Sequence, residues 1–144
     1  KEERNFRFPL CASVYACAAG RLAGLDATGF ALLALCIFAM LGMELMNSAV
    51  ERAVDKPDTT HWWSAGAAKD MAAGAVMVTA LGTICVAVCL FGNPAALTAI
   101  WCGVTASPLT VGLWALSLVA AYGFTFRFGN RKEKEENDAA NHAE

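Results

Sequence analysis

The chain has 144 residues, of which 57% are hydrophobic, and a formal net charge of −2. Eleven basic against 13 acidic side chains leave no cationic surplus for a nucleic acid partner. The charge-free runs Phe30–Met43, Met71–Phe91 and Leu109–Phe126 exclude an ordinary water-soluble domain, since the last two reach the roughly 20 residues that cross a bilayer.

Lys1–Phe8 is polar and basic and suits a segment at a membrane surface. Glu2 and Glu3 among its charges argue against a secretory leader. Span one is predicted over Pro9–Leu25, with Arg21 near its far end, where a long cationic side chain reaches the interface. Asp26–Gly29 leads into span two, Phe30–Val50, whose helix is predicted to continue to Asp55. Lys56–Thr60 ends it, because Pro57 can neither continue a helix nor leave its predecessor helical. His61 follows, and Trp62-Trp63 reads as an interfacial anchor.

Span three is predicted over Gly66–Phe91, and Gly92-Asn93-Pro94 is a stop and a turn. Ala95–Ala106 is apolar but too short to span, which marks an external or re-entrant segment before span four, Leu109–Phe126. Arg127–Glu144 reads as a frayed or disordered charged tail. The small residues around Gly66, Ala73 and Gly74 read as a helix-packing stripe. The six cysteines all lie in apolar segments without a CxxC pair, and read as buried thiols acting as small hydrophobes. The expected fold is an all-α polytopic membrane helical bundle.

Lysine and arginine set the expected orientation. Lys1, Arg4, Arg7, Arg52, Lys56, Lys69, Arg127, Arg131, Lys132 and Lys134 fall on one side, and only Arg21 on the other. That places the first side in the cytoplasm, where nucleotides are available.

The chemistry concentrates in Glu44–Asp55. At about 100° per residue, Glu44, Asn47, Glu51 and Asp55 fall within roughly 80° of one another on a helix, with Ser48 beside them. Three like charges on one face call for a cation among them. Glu44 lies at the inner end of this face, inside an apolar span, where an ionisable group is a functional hypothesis by default. A carboxylate taken out of water is also a stronger proton acceptor. Lys69-Asp70 opens span three and faces the same loop as Asp55, so an ammonium there can meet the acidic face or a phosphate.

Glu44-x-x-Asn47-Ser48-Ala49-Val50-Glu51-x-x-Val54-Asp55, then His61, then Ala68-Lys69-Asp70-Met71-Ala72-Ala73-Gly74-Ala75-Val76, closely resembles the prokaryotic diacylglycerol kinase family, which includes the undecaprenol kinases. Glu3-x-x-Phe6-Arg7 resembles the element that precedes the first span of that family. The resemblance runs from Glu3 to Phe91.

It implies a trimeric membrane lipid kinase that uses Mg-ATP, and no GxxxxGK[ST] loop is present to suggest another nucleotide site. By position, Glu44 resembles the general base, Glu3 and Glu51 the magnesium ligands, and Asn47, Asp55, Lys69 and Asp70 the groups that hold the nucleotide; Glu3 and Glu51 reach it through the metal. Glu2 adjoins Glu3, so the first metal ligand can fall on either.

The chain departs from the family in Pro9, in a displaced His61 that is assigned no role, in a surface helix absent or cut short before span one, and in span four. Three regions are expected. They are a diacylglycerol-kinase-like membrane domain (1–91), an additional apolar segment with the fourth span (92–126) and a charged cytoplasmic tail (127–144). The expected location is the inner (plasma) membrane. A reading from another class makes the chain a small oligomeric ion or proton conductor, with Glu44, Asn47 and Glu51 along the path.

Overall fold

The computed structural model describes the backbone of residues 2–54 and 63–141 and the side chains of residues 6–54 and 65–126. It is all-helical over these residues: α1 Glu2–Leu22, α2 Ala27–Val54, α3 Trp63–Phe91, α4 Pro94–Val104 and α5 Pro108–Asn141. Lys56–Thr60, His61 and the expected end of the second helix at Asp55 lie outside the described residues.

The connection between α1 and α2 turns on a glycine. Gly24 sits at φ 71, and the two amides after the helix end turn back, Gly24 N to Arg21 O (3.2 Å) and Leu25 N to Gly20 O (3.0 Å). This is the two-bond glycine stop of a helix C-terminus, and it ends α1 at Leu22, three residues before the expected end of span one. Asp26 then caps α2, its Oδ1 accepting from Gly29 N at 2.8 Å.

The expected stop at Gly92-Asn93-Pro94 has the same logic. Asn93 Oδ1 accepts from Ala96 N (2.8 Å), and Pro94 takes the first helical position, where no amide is needed. Ser107 and Thr110 cap each other at the start of α5.

Gly20 lets α1 and α2 approach: a Cβ there would lie 3.1–3.3 Å from Leu25, Phe30 and Leu33. The expected packing role of Gly66 and Gly74 is not met within the chain, because a Cβ at either would touch nothing within 4 Å. The helix interfaces turn instead on Gly20 and on Gly103 of α4, which faces Leu22.

The most extensive contact is between α2 and α3, followed by α1 with α2. The final helix returns along α1 in the opposite direction. Tyr15 Oη donates to Ser117 Oγ (3.1 Å), and the Tyr15 and Trp114 rings are 6.0 Å apart. Nearer the start of α1, Arg7 Nη1 donates to Phe124 O (3.3 Å), with the guanidinium 5.2 Å over the Phe124 ring.

Almost nothing apolar is enclosed: among the described residues only Leu33 and Ala96 form a buried hydrophobic core. Large apolar side chains such as Phe38, Met71, Trp101 and Leu109 point outward. Helices apolar all round need an apolar surrounding. By length and composition Ala27–Val54, Ala65–Phe91 and Pro108–Phe126 can each cross a membrane; the expected span one is not among them, its residues belonging to α1, which runs from Glu2 and carries charges at both ends. The protein is a polytopic helical membrane bundle.

Two expectations change. The thiols are not interior: Cys17, Cys85, Cys89 and Cys102 are exposed, and Cys11 and Cys36 are half-buried, which in a bilayer still leaves them in apolar surroundings. The tail is not disordered as far as Asn141, because α5 continues without a break through Arg127. The segment after Phe126 holds no proline and is rich in Arg, Lys, Glu and Ala, all good helix formers, with opposite charges four apart at Arg131/Glu135 and Lys132/Glu136.

Candidate functional site

One end of the bundle collects the acidic face. A cavity of about 840 Å³ opens between α1, α2 and α3, with the Thr125–Phe126 end of α5 in its wall. Most of its lining is apolar, for example Ile37 and Met40 from α2 and Val76 and Ala80 from α3. Glu44 and Asn47 are the polar members that α2 contributes.

Their spacing explains this. Met40, Glu44 and Asn47 succeed one another at intervals of four and three, which is one face of a helix. One turn further on, Asn47 Nδ2 donates to Glu51 Oε1 at 3.0 Å, an i,i+4 hydrogen bond to a charged acceptor. The other amide atom, Asn47 Oδ1, is buried and has no hydrogen-bond partner among the described residues. A buried oxygen of this kind costs about 1–3 kcal/mol unless something fills it. The face therefore runs from an apolar chamber at Glu44, through an unfilled oxygen at Asn47, to a half-buried carboxylate at Glu51.

The remaining predicted residues divide. Lys69 is half-buried on α3, one turn before Ala73 of the cavity wall, so it shares that wall's helix face. Asp70 is exposed and does not line the cavity. Asp55, His61 and the side chain of Glu3 lie outside the described residues. Glu44, Asn47 and Glu51 are thus brought together, and Lys69 stands on the facing helix.

The donor set can be tested against magnesium. Among the described residues no group of three or more His, Cys, Asp or Glu side chains could hold a metal alone. Magnesium does not require one: it commonly takes one or two carboxylates, substrate phosphate oxygens and water. Glu51 offers a carboxylate and Asn47 Oδ1 an unfilled hard oxygen on the same face, so these residues fit.

Thr125 and Phe126 of the cavity wall were not singled out from the sequence. No local signal marks them, since they enter the site only because α5 folds back on α1.

Fold and site together define a membrane-embedded helical protein with a polar face at one end of an apolar chamber. Residues 1–91 match the family model described as prokaryotic diacylglycerol kinase, and the chain belongs to that family of lipid kinases. It is 36% identical over 91 residues to the undecaprenol kinase of Bacillus subtilis, covering 63% of this chain and 74% of that protein. It is 37% identical over 93 residues to the diacylglycerol kinase of Synechocystis, covering 64% of this chain and 53% of that protein. The chain thus spans about half the length of the second relative. No solved structure matches it at a significant level.

Proposed function

We propose that the protein transfers the γ-phosphate of ATP to the hydroxyl of a membrane lipid, a diacylglycerol or undecaprenol, at the cytoplasmic face of the inner (plasma) membrane. The observation that carries this reading is the chamber itself, apolar along most of its wall and lined by Glu44 and Asn47 as well. A lipid held there brings its hydroxyl to a carboxylate, while its chains stay among Ile37, Val76 and their neighbours.

Phosphoryl transfer asks mainly for positioning and for neutralised charge on phosphate oxygens. The lipid hydroxyl oxygen forms a bond to the γ-phosphorus, the bond from that phosphorus to the β,γ-bridging oxygen breaks, and ADP leaves. Glu44 takes the hydroxyl proton. Asn47 holds the Glu51 carboxylate in place through its 3.0 Å hydrogen bond. Glu51 and Asn47 Oδ1, with Glu3, are the residues that would hold magnesium. When bound, the ion neutralises phosphate charge and orients the nucleotide. Lys69 meets a phosphate as a point charge, and Asp55 and Asp70 complete the nucleotide's surroundings.

The cytoplasmic placement is supported by charge. Arg7, Arg52 and Lys69 lie at the site's end of the bundle and Arg21 at the opposite end. The family resemblance makes a homotrimer the expected assembly. We divide the chain functionally into a catalytic unit over 1–91, an added segment over 92–126 and a cytoplasmic extension over 127–144.

The test is phosphorylation from labelled ATP in mixed micelles, offering diacylglycerol and undecaprenol side by side. Glu44→Gln is expected to abolish turnover and leave ATP binding within about twofold. Glu51→Gln is expected to raise the magnesium requirement. An active Glu44→Gln protein would overturn the base assignment. ATP-independent ion flux through liposomes would favour a conductor instead.

A further inference from the structure

The family match ends at residue 91, yet the chamber does not. Its wall is completed by Thr125 and Phe126, at the site's end of α5. Two contacts with α1 and one ring pair within α5 set this turn of α5 in place. Arg7 grips Phe124 through its carbonyl and its ring. The Tyr122 ring lies 4.8 Å from the ring of Phe126. Thr125 Oγ1 donates to Cys11 Sγ at 3.8 Å.

Thr125 is only 4% exposed and is the one buried polar side chain among the described residues. Its single O–H is spent on a thiol sulfur, a weak acceptor, so a better oxygen acceptor in the chamber can take that donor over from Cys11. It lines the same chamber as Glu44 and Asn47 but reaches it from a different helix. Besides Glu44 and Asn47 of α2, the polar lining comprises Ser13 of α1, whose Oγ donates to Pro9 O at 2.7 Å, Thr83 of α3 and Thr125 of α5, and of these Thr125 is the buried one.

We infer that Thr125 and Phe126 are specificity-determining residues for the acceptor lipid, selecting a glycerolipid alcohol. The inference rests on the lipid-kinase reading above. A diacylglycerol carries ester oxygens a few bonds from its free hydroxyl. With that hydroxyl at Glu44, an ester oxygen is available to accept from Thr125 Oγ1, and Phe126 packs on the adjoining chain. A polyisoprenoid alcohol has no second oxygen to offer and gains nothing from Thr125. The helix beyond the family match thus supplies a part of the wall that distinguishes two lipid alcohols by their second polar group.

The experiment uses the full chain in mixed micelles with 1,2-dioctanoylglycerol and undecaprenol as acceptors. Thr125→Val, which keeps shape and removes the hydroxyl, is expected to raise KM for the diacylglycerol roughly three- to tenfold, the worth of one neutral hydrogen bond. KM for undecaprenol and for ATP should stay unchanged, and Thr125→Ser should restore the wild-type value. Equal shifts for both lipids, no shift for either, or a wild-type protein that phosphorylates only undecaprenol would each overturn the selection.

A second readout does not need turnover. A diacylglycerol with a diazirine in its acyl chain should label the peptide containing Thr125 and Phe126 in the wild type and in Glu44→Gln alike. Label absent from that peptide overturns the wall assignment even if the kinase reading stands. Label present there without phosphorylation of either lipid leaves the wall intact and overturns the kinase chemistry.

Discussion

Replacing Asn47 by alanine separates two roles that the structure gives one side chain. The substitution removes a hydrogen bond to the charged Glu51 carboxylate, worth about 1.5–3 kcal/mol. It also removes Oδ1, a buried oxygen without a partner among the described residues, whose desolvation costs about 1–3 kcal/mol. The two largely cancel. No new void is opened, because Asn47 already lines the chamber.

Unfolding stability of Asn47→Ala, followed by thermal or SDS titration in micelles, should therefore stay within about 1 kcal/mol of wild type. Catalysis should not be spared. If Asn47 orients Glu51 toward a magnesium ion and supplies an oxygen of its own, its loss should weaken apparent magnesium affinity about 10- to 100-fold. A magnesium titration of initial rates reads this directly. A protein destabilised by several kcal/mol but fully active at wild-type magnesium would refute the reasoning, making Asn47 helix glue rather than part of the site.

Two further predictions concern the scaffold. Leu33, 6% exposed and set against Gly20, is a buried apolar contact between α1 and α2. Leu33→Ala should cost about 2 kcal/mol, the low end for a core leucine, because a lipid-solvated reference state keeps leucine out of water as well. SDS titration would show this as an earlier midpoint. Asn93→Ala removes the cap on Ala96 N and should cost about 1 kcal/mol with little change in lipid phosphorylation, since α4 lies away from the acidic face. Parallel unfolding and activity measurements check both halves of that statement.

Much of the site was legible because helical spacing is local. Glu44, Asn47 and Glu51 lie within eight residues, so their shared face follows from the turn of the helix alone, and the structure joins the last two by a hydrogen bond. The stop at Gly92-Asn93-Pro94 was equally legible as turn chemistry. The packing role of Gly66 and Gly74 was not, because small residues show where a helix can be approached and say nothing about whether a partner comes. The tail was misjudged for a related reason: mixed charge suggests disorder, while the same lysines and glutamates are strong helix formers when no proline interrupts them.

The sequence by itself determined the helices, the membrane as their solvent and the acidic face, because a bilayer forces every backbone hydrogen bond to close within a local segment. Only the tertiary structure decided which apolar helix lies beside which. α5 up to Phe126 is apolar apart from a few small polar residues such as Ser117 and Thr125, and these do not name the helix they meet. Its place is set by matches with α1 more than 100 residues away: Tyr15 with Ser117, Arg7 with Phe124 and Cys11 with Thr125. That placement adds Thr125 and Phe126 to the wall of the cavity that Glu44 and Asn47 line.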